Sequence, residues 1–196
     1  MKRDDLRRRI RDARRGLAPQ VRRAAAEAAA KHVLALPAYR DARRLAVYMA
    51  VDAELDPEPL LASARADGKE AYLPVISTAG DRFLHFQAYA AGTPLRPNLY
   101  RIPEPVNDPR SALRPAELDL VLAPLVAFDT RGHRLGMGGG YYDRSFAFLK
   151  DRHVRKPLLI GLAYECQKVA TLPAESWDVP LAGVVTEQQF YPFAPT

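Results

Sequence analysis

The segment Gly132-His133-Arg134-Leu135-Gly136-Met137-Gly138-Gly139-Gly140-Tyr141-Tyr142-Asp143-Arg144 places five glycines in nine positions. Glycine has no Cβ and adopts positive φ without steric cost, so such a run lets consecutive backbone N–H groups converge on an anion. A helix start directly after it adds a further set of free donors. The chemistry this suits is the cradling of phosphate. A flexible glycine turn is the alternative for a bare glycine triplet, and the flanks weigh against it. Arg134 at the loop entrance can give phosphate a bidentate guanidinium, and Asp143 at its exit is a hard oxygen ligand suited to Mg²⁺ or, equally, a helix-capping carboxylate. The loop is not a Walker A motif, because no Lys-Ser or Lys-Thr follows. Nor is it a dinucleotide fingerprint, because Tyr141 stands where the last glycine of G-x-G-x-x-G would fall.

Other chemistry-bearing residues are sparse. Cys166 is the one cysteine and has no partner motif, so an inert, partly buried thiol is expected. His32, His85, His133 and His153 show no paired spacing for zinc. Trp177 reads as either a core anchor or an aromatic wall beside a site. Of Tyr141 and Tyr142, which begin a helix, Tyr142 is expected to be the less buried.

The elements that must carry these residues follow from periodicity. Leu6, Ile10, Ala13 and Leu17 recur at spacings of four, three and four and predict an amphipathic helix from about residue 3 to 17, with arginines over its other face. After Ala18-Pro19, the Ala-rich stretch from Gln20 to Leu36 predicts a second helix that ends before Pro37. Short β-like runs follow at Leu45–Val51, Ala71–Ile76, Phe83–Gln87, Leu118–Ala123, Leu158–Ala163 and Gly183–Thr186. Several are almost continuously apolar, as strands buried on both faces must be. Helical segments are expected around Pro57–Ala66 and Tyr142–Lys150. Residues 89–117, rich in Pro, Gly, Asn and Arg, read as a long surface excursion. The pattern predicts an α/β fold.

Composition bounds the function classes. The 196 residues are 48% hydrophobic and 27% charged, and charges, Pro or Gly break every apolar run before it reaches membrane-spanning length. A soluble protein is expected. The single cysteine and the absence of an apolar leader point to a reducing cytoplasm. Of the net charge of +6, residues 1–44 carry 14 Lys/Arg against 5 Asp/Glu, and the remainder carries 15 against 18. Such asymmetry fits a nucleic-acid arm, a membrane-surface helix, a targeting peptide or a docking surface for a small polyanion, although Asp4, Asp5 and Asp12 argue against an acid-poor mitochondrial presequence. An RNA-binding reading lacks a stacking platform or RNP-like motif and leaves the glycine segment without a purpose.

Arg134 to Arg144, the later Gly161-Leu162-Ala163-Tyr164 with Gln167, and Trp177-Asp178-Val179-Pro180 before Val184-Val185-Thr186-Glu187 together resemble the 5-formyltetrahydrofolate cyclo-ligase family, also called methenyltetrahydrofolate synthetases. Leu6-Arg7 on the basic helix and Glu54-Leu55-Asp56 after the first strand match it too. The resemblance spans essentially the whole chain, and the Gly-Tyr-Tyr-Asp block is its specific part. It implies conversion of 5-formyltetrahydrofolate, possibly polyglutamated, into 5,10-methenyltetrahydrofolate with ATP and Mg²⁺. It further implies a single domain over residues 1–196 with a three-layer α/β/α fold around a mainly parallel central sheet, Rossmann-like but without the dinucleotide fingerprint; a cytoplasmic monomer with no nucleic-acid or membrane partner is expected.

Carried over residue by residue, the resemblance gives ATP binding to Arg3, Arg7, Arg134, Leu135, Gly136, Met137, Gly138, Gly139, Gly140, Tyr141 and Tyr142. Arg134 and Tyr142 have catalytic parts, Asp143 and Asp178 meet the metal, and Met49 and Glu54 meet folate. Three departures stand out. Arg3 occupies a position that is usually Lys, with Lys2 beside it; Gly139 stands where many relatives have Lys; and Ala182 stands where many have Asp. Arg8 and Arg15, with no matched counterpart, are expected to be solvated charges.

Overall fold

The computed structural model describes residues 2–77, 82–106, 108, 110–151 and 153–193. Residues 107 and 109 of the excursion lie outside them. Helix α1 (Arg3–Arg15) and helix α2 (Pro19–Leu34) come first, then a short α3 (Pro37–Asp41), strand β1 (Arg44–Ala46), α4 (Glu58–Ala66), β2 (Glu70–Ile76) and β3 (Leu84–Ala88). The excursion folds into a small antiparallel hairpin, β4 (Leu95–Pro97) and β5 (Pro103–Pro105). After it come β6 (Leu120–Pro124), a second small hairpin of β7 (Ala127–Phe128) and β8 (Arg134–Leu135), α5 (Tyr141–Ser145), β9 (Leu158–Leu162), β10 (Gly183–Val185) and β11 (Phe190–Pro192).

The central sheet has seven strands in the order β11-β10-β9-β6-β1-β2-β3. The inner five are parallel, and an antiparallel strand closes each edge. The near-continuous burial of β6 and β9 explains their unbroken apolar sequences, since both faces of the sheet are covered. On one face the alanines of α2 and Leu60, Leu61 and Ala64 of α4 pack on Leu45, Leu73, Leu120 and Ile160. The other face carries Phe86, Phe128, Phe146 and Val184. The second helical layer is thin: α5 spans five residues and continues as the 3₁₀ turn Ala147–Lys150.

The chain runs from β1 to β2 on one side and returns to place β6 on the other, so the sheet reverses direction of growth between β1 and β6. In open parallel sheets ligands bind outside the carboxyl ends of the strands at such a switch point. This also explains a difference from the expected strand Leu45–Val51. Its ladder ends at Ala46 because the chain must leave the sheet there, with Tyr48 already bonded through its hydroxyl to the Leu55 carbonyl.

Two helix expectations also shift. Helix α2 stops at Leu34, and Pro37 starts α3, since proline suits the first turn of a helix. In α1, Leu6 and Ile10 pack on Val126, Ala127 and Leu135, but Ala13 is exposed and Arg14 takes the next inward position.

Candidate active site

A cleft of about 1070 Å³ opens at the switch point, between the carboxyl ends of β1 and β6, the glycine segment and the tip of the β4–β5 hairpin. Every candidate site residue from the sequence lines it: Arg3, Arg7, Met49, Glu54, the run from Arg134 to Asp143, and Asp178.

One wall is the glycine loop. Gly138 (φ 100°) and Gly140 (φ 68°) sit in the left-handed region, which fixes why glycine is needed at the bend into α5. Arg7 donates from Nε to the Gly136 carbonyl at 2.9 Å and from Nη1 to Asp4 at 2.6 Å, so α1 is clipped to the loop. Arg3 lies one turn earlier. It donates to the Pro173 carbonyl at 3.2 Å, pairs with Glu175 at 3.3 Å and approaches Asp178 at 3.9 Å. Lys2 is exposed as the N-terminal cap, so it is Arg3 that reaches the cleft. A Cβ on Gly139 would meet the Tyr141 ring at 2.9 Å, and Tyr141 is held by Tyr100 of the hairpin tip, their hydroxyls 3.2 Å apart. The glycine there lets Tyr141 and Tyr100 meet over the loop.

Arg134 is buried beneath the loop. Its guanidinium donates to the Val179 carbonyl and to Asp143 Oδ1, which also accepts the Val179 N–H at 3.1 Å. Burial lowers the Arg134 pKa from its ordinary value, opposed by the carboxylates of Asp143 and then Asp178. Asp143 is therefore a tie between the loop, the helix start and the 179 strand approach, not a cap, since its own oxygen takes none of the first-turn N–H groups. Ala182 packs against the core on the α2 and α4 side.

The other wall is the segment Val47–Glu54. Asp52 (φ 52°) and Ala53 (φ 57°) both hold left-handed backbone, unusual outside glycine. Three arginines of α1 converge on Asp52: Arg11 Nε at 2.6 Å, Arg14 Nη2 at 3.2 Å, and Arg15 Nε; Arg14 Nε also donates to the Asp52 carbonyl at 3.0 Å. Burial alone would raise the Asp52 pKa, but the bonds from Arg15 and Arg11 and the charges of Arg11 and Arg14 hold it below the usual carboxylate range.

Glu54, two residues on, is shifted the opposite way. Burial pushes its pKa up, against the Val51 N–H donating to Oε2 at 3.2 Å and against Arg14 at 3.8 Å. Arg14 is the largest fully buried side chain among the described residues and serves both acids. Sequence reading missed this cluster. It placed Arg15 among the solvated charges, whereas Arg15 pairs with Asp52; Arg8 does stay at the surface, bonded to Asp5. The signal was present in Arg11, Arg14 and Arg15 sharing one helical face, but a partner near residue 52 cannot be read from that face.

Between the walls stands Tyr142. Its hydroxyl is enclosed and, among the described residues, has no hydrogen-bond partner; burial first and Glu54 second push its pKa well up. The expectation that Tyr142 would be the less buried tyrosine is thus reversed. The ring of Tyr142 stacks on Phe146 as the helix turns it inward, while Tyr141 faces the hairpin.

Cys166 is exposed where partial burial was expected, yet burial around the sulfur and then Glu187 raise its pKa, which keeps it a poor nucleophile. Gln167 is a structural tie, donating to the Leu125 and Val126 carbonyls at 2.7 and 3.0 Å. Trp177 is exposed on the cleft rim. Among the described residues, no three His, Cys, Asp or Glu side chains gather as a metal cluster, and no helix is long and apolar enough to cross a membrane.

A two-walled cleft at the switch point of a parallel sheet, with a glycine-rich loop on one side and a buried carboxylate on the other, is the setting of a small-molecule enzyme. The profile of the 5-formyltetrahydrofolate cyclo-ligase family matches residues 1–187. The chain is 38% identical over 184 residues to the 5-formyltetrahydrofolate cyclo-ligase of Haemophilus influenzae, covering 94% of this chain and 97% of that one. It is 39% identical over 182 residues to the enzyme of the same name from Escherichia coli, covering 93% and 98%. The solved structure of a 5,10-methenyltetrahydrofolate synthetase from Aquifex aeolicus superposes with a TM-score of 0.82 at 28% identity, over 100% of this chain and 95% of that one. The chain belongs to the 5-formyltetrahydrofolate cyclo-ligase family.

Proposed function

We propose that the protein cyclises 5-formyltetrahydrofolate to 5,10-methenyltetrahydrofolate at the expense of ATP, releasing ADP and phosphate, and that it does so as a monomer, since one chain supplies the whole cleft lining. The observation that carries the reading is the convergence of the glycine loop, the two α1 arginines, Asp143, Asp178 and Glu54 on one cleft, around a buried tyrosine hydroxyl with no partner among the described residues. The γ-phosphoryl of ATP passes to the formyl oxygen; N10 then attacks the formyl carbon, loses its proton, and the oxygen leaves as phosphate. Phosphoryl transfer asks a protein chiefly to align the reactants and neutralise charge, so the lack of a nucleophile triad fits the reaction.

The residues divide this work. The N–H groups of Gly136 to Gly140 face the phosphates, and Arg7 and Arg3 bring positive charge from the side. Arg134 acts from beneath by fixing Asp143 in place. Tyr142, held protonated by burial, is a donor aimed between the two walls and reaches either the transferring phosphoryl group or the formyl oxygen. Glu54 accepts from the N–H edge of the pterin, with Met49 packing on the ring system.

A Mg²⁺ ion fits the donor set in a limited way. Two carboxylates, Asp143 and Asp178, reach the cleft, which suits a hard cation that keeps waters and takes its remaining ligands from phosphate oxygens. When bound there it would neutralise developing charge on the phosphates. The test is the appearance of methenyltetrahydrofolate absorbance in purified protein supplied with 5-formyltetrahydrofolate, with and without ATP. Turnover only with ATP supports the proposal, and turnover independent of nucleotide overturns it.

A further inference from the structure

We propose that Trp177 is the platform on which the purine base of the nucleotide stacks, an inference that rests on the nucleotide reading above. Trp177 is the chain's single tryptophan, 60% exposed, and lies on the cleft rim. An indole is the largest apolar surface a side chain offers, and leaving it in water is unfavourable unless something covers it.

The turn that carries it is not loose. Arg3 holds its start through the Pro173 carbonyl at 3.2 Å and Glu175 at 3.3 Å, and Lys150 Nζ donates to the Ser176 carbonyl at 2.5 Å. Glu175 and Asp178 close it on each other, with the Glu175 N–H on Asp178 Oδ2 at 2.9 Å and the Asp178 N–H on the Glu175 carbonyl at 3.0 Å. A turn tied from α1, from the 3₁₀ turn and within itself, yet presenting its aromatic ring outward, is preorganised for a flat ligand.

The neighbours say which flat ligand. Trp177 shares its turn with Asp178 and its ties with Arg3 and Lys150, the cationic and metal-facing end of the cleft, whereas Glu54 and Met49 belong to the opposite wall. A nucleotide whose phosphates lie along Gly136 to Gly140 has its base beyond one end of that loop. Tyr100, the other exposed aromatic of the rim, is already edge-on to Tyr141 at 6.0 Å and bonded to its hydroxyl. At about 1070 Å³ the cleft exceeds what one drug-sized ligand usually needs, which leaves room for a base beside a folate.

The single tryptophan makes the test direct. The full-length protein is titrated with ADP and with inorganic tripolyphosphate, following tryptophan emission and, by calorimetry, affinity. ADP should change the emission saturably, and tripolyphosphate should bind with little change. Trp177→Ala should weaken ADP about ten-fold, as expected for loss of one base–aromatic stack, with tripolyphosphate affinity unchanged, and Trp177→Phe should recover most of the loss. Equal weakening of ADP and tripolyphosphate, weakening of 5-formyltetrahydrofolate instead, or unchanged ADP affinity would each overturn the platform while leaving the nucleotide reading in place. Failure of both probes to bind the folded wild-type protein would overturn the nucleotide reading and the platform with it.

Discussion

The two walls of the cleft are built by opposite means. The glycine loop is made of local sequence: its shape comes from backbone that only glycine adopts cheaply, and it is clipped to α1 by one bond from Arg7 to the Gly136 carbonyl. The Val47–Glu54 wall has ordinary side chains in an unusual backbone, and its shape is imposed from a distance by Arg11, Arg14 and Arg15. One helix therefore serves both walls, with exposed guanidinium chemistry at its start and a buried clasp at its end. The lesson is that a basic helix of this kind is read wrongly when its arginines are counted as one face: charge near the loop lines the cleft, where the proposed function gives it to the ligand, and charge near Asp52 ties the fold.

The largest effect should come from breaking the clasp at its buried member. Arg14→Met leaves Glu54 enclosed without its cation and removes two bonds to Asp52. Loss of one partner of a buried ion pair costs about 3 to 5 kcal/mol, so the melting temperature should fall by roughly 6 to 20 °C, while Arg8→Met on the exposed face should be near neutral. Differential scanning calorimetry of the two variants decides whether α1 has two kinds of arginine.

The two proposed metal-facing carboxylates should separate in the same way. Asp143→Asn and Asp178→Asn should each lower activity about 100-fold or more, in line with losses at metal sites. Only Asp143→Asn should also lower thermal stability without ligand, because it strips the buried Arg134 of its charged partner. Activity that survives across a Mg²⁺ titration would remove that residue from the metal site.

On the loop wall, Arg7→Ala should weaken ATP by about 1.5 to 3 kcal/mol, the value of a charge-assisted hydrogen bond, and Arg8→Ala, which removes the same net charge, should not. Titration calorimetry of the pair tests whether position or diffuse field matters. On the opposite wall, Glu54→Gln should weaken 5-formyltetrahydrofolate and leave nucleotide affinity nearly intact, since an amide must offer a donor where the carboxylate only accepts; the reverse pattern in calorimetry would reassign Glu54.

The smallest expected effect lies in pH dependence, where the two acids of one loop should pull in opposite directions. The folded pKa of Glu54 lies above its ordinary 4.5, so the stability its proton supplies is present at low pH and lost as pH rises through the folded value. The folded pKa of Asp52 lies below 3.8, so its contribution is present above that value and lost as pH falls through the folded one. Melting curves should show Glu54→Gln gaining on wild type as pH rises above 4.5, and Asp52→Asn approaching wild type only under strongly acid conditions.

These contrasts also explain what the sequence made legible. The parallel core showed itself in runs such as Leu158–Leu162, because burial on both faces demands continuous apolar residues. The glycine loop was legible because its cause lies within nine residues. The inward turn of Arg14 was not, since apolar periodicity assigned the position to Ala13 and the compensating acid sits 38 residues away. Strand β1 appeared too long because Val47 to Val51 are as apolar as a strand, while the switch point that ends the ladder is a property of chain topology. The hairpin tip at Tyr100 was likewise hidden inside a stretch whose Pro and Asn content indicates loop, although Asn98, which accepts the N–H groups of Tyr100 and Ile102, is the turn residue that makes it.

The measurement that bears most directly on the central claim is single-turnover formation of methenyltetrahydrofolate by the purified wild-type chain, with ATP present, absent, or replaced by a non-hydrolysable analogue. The account predicts product in the first case alone, with one phosphate released per folate cyclised. Product formed at the same rate without ATP, or ATP hydrolysed with no cyclised folate, would contradict it.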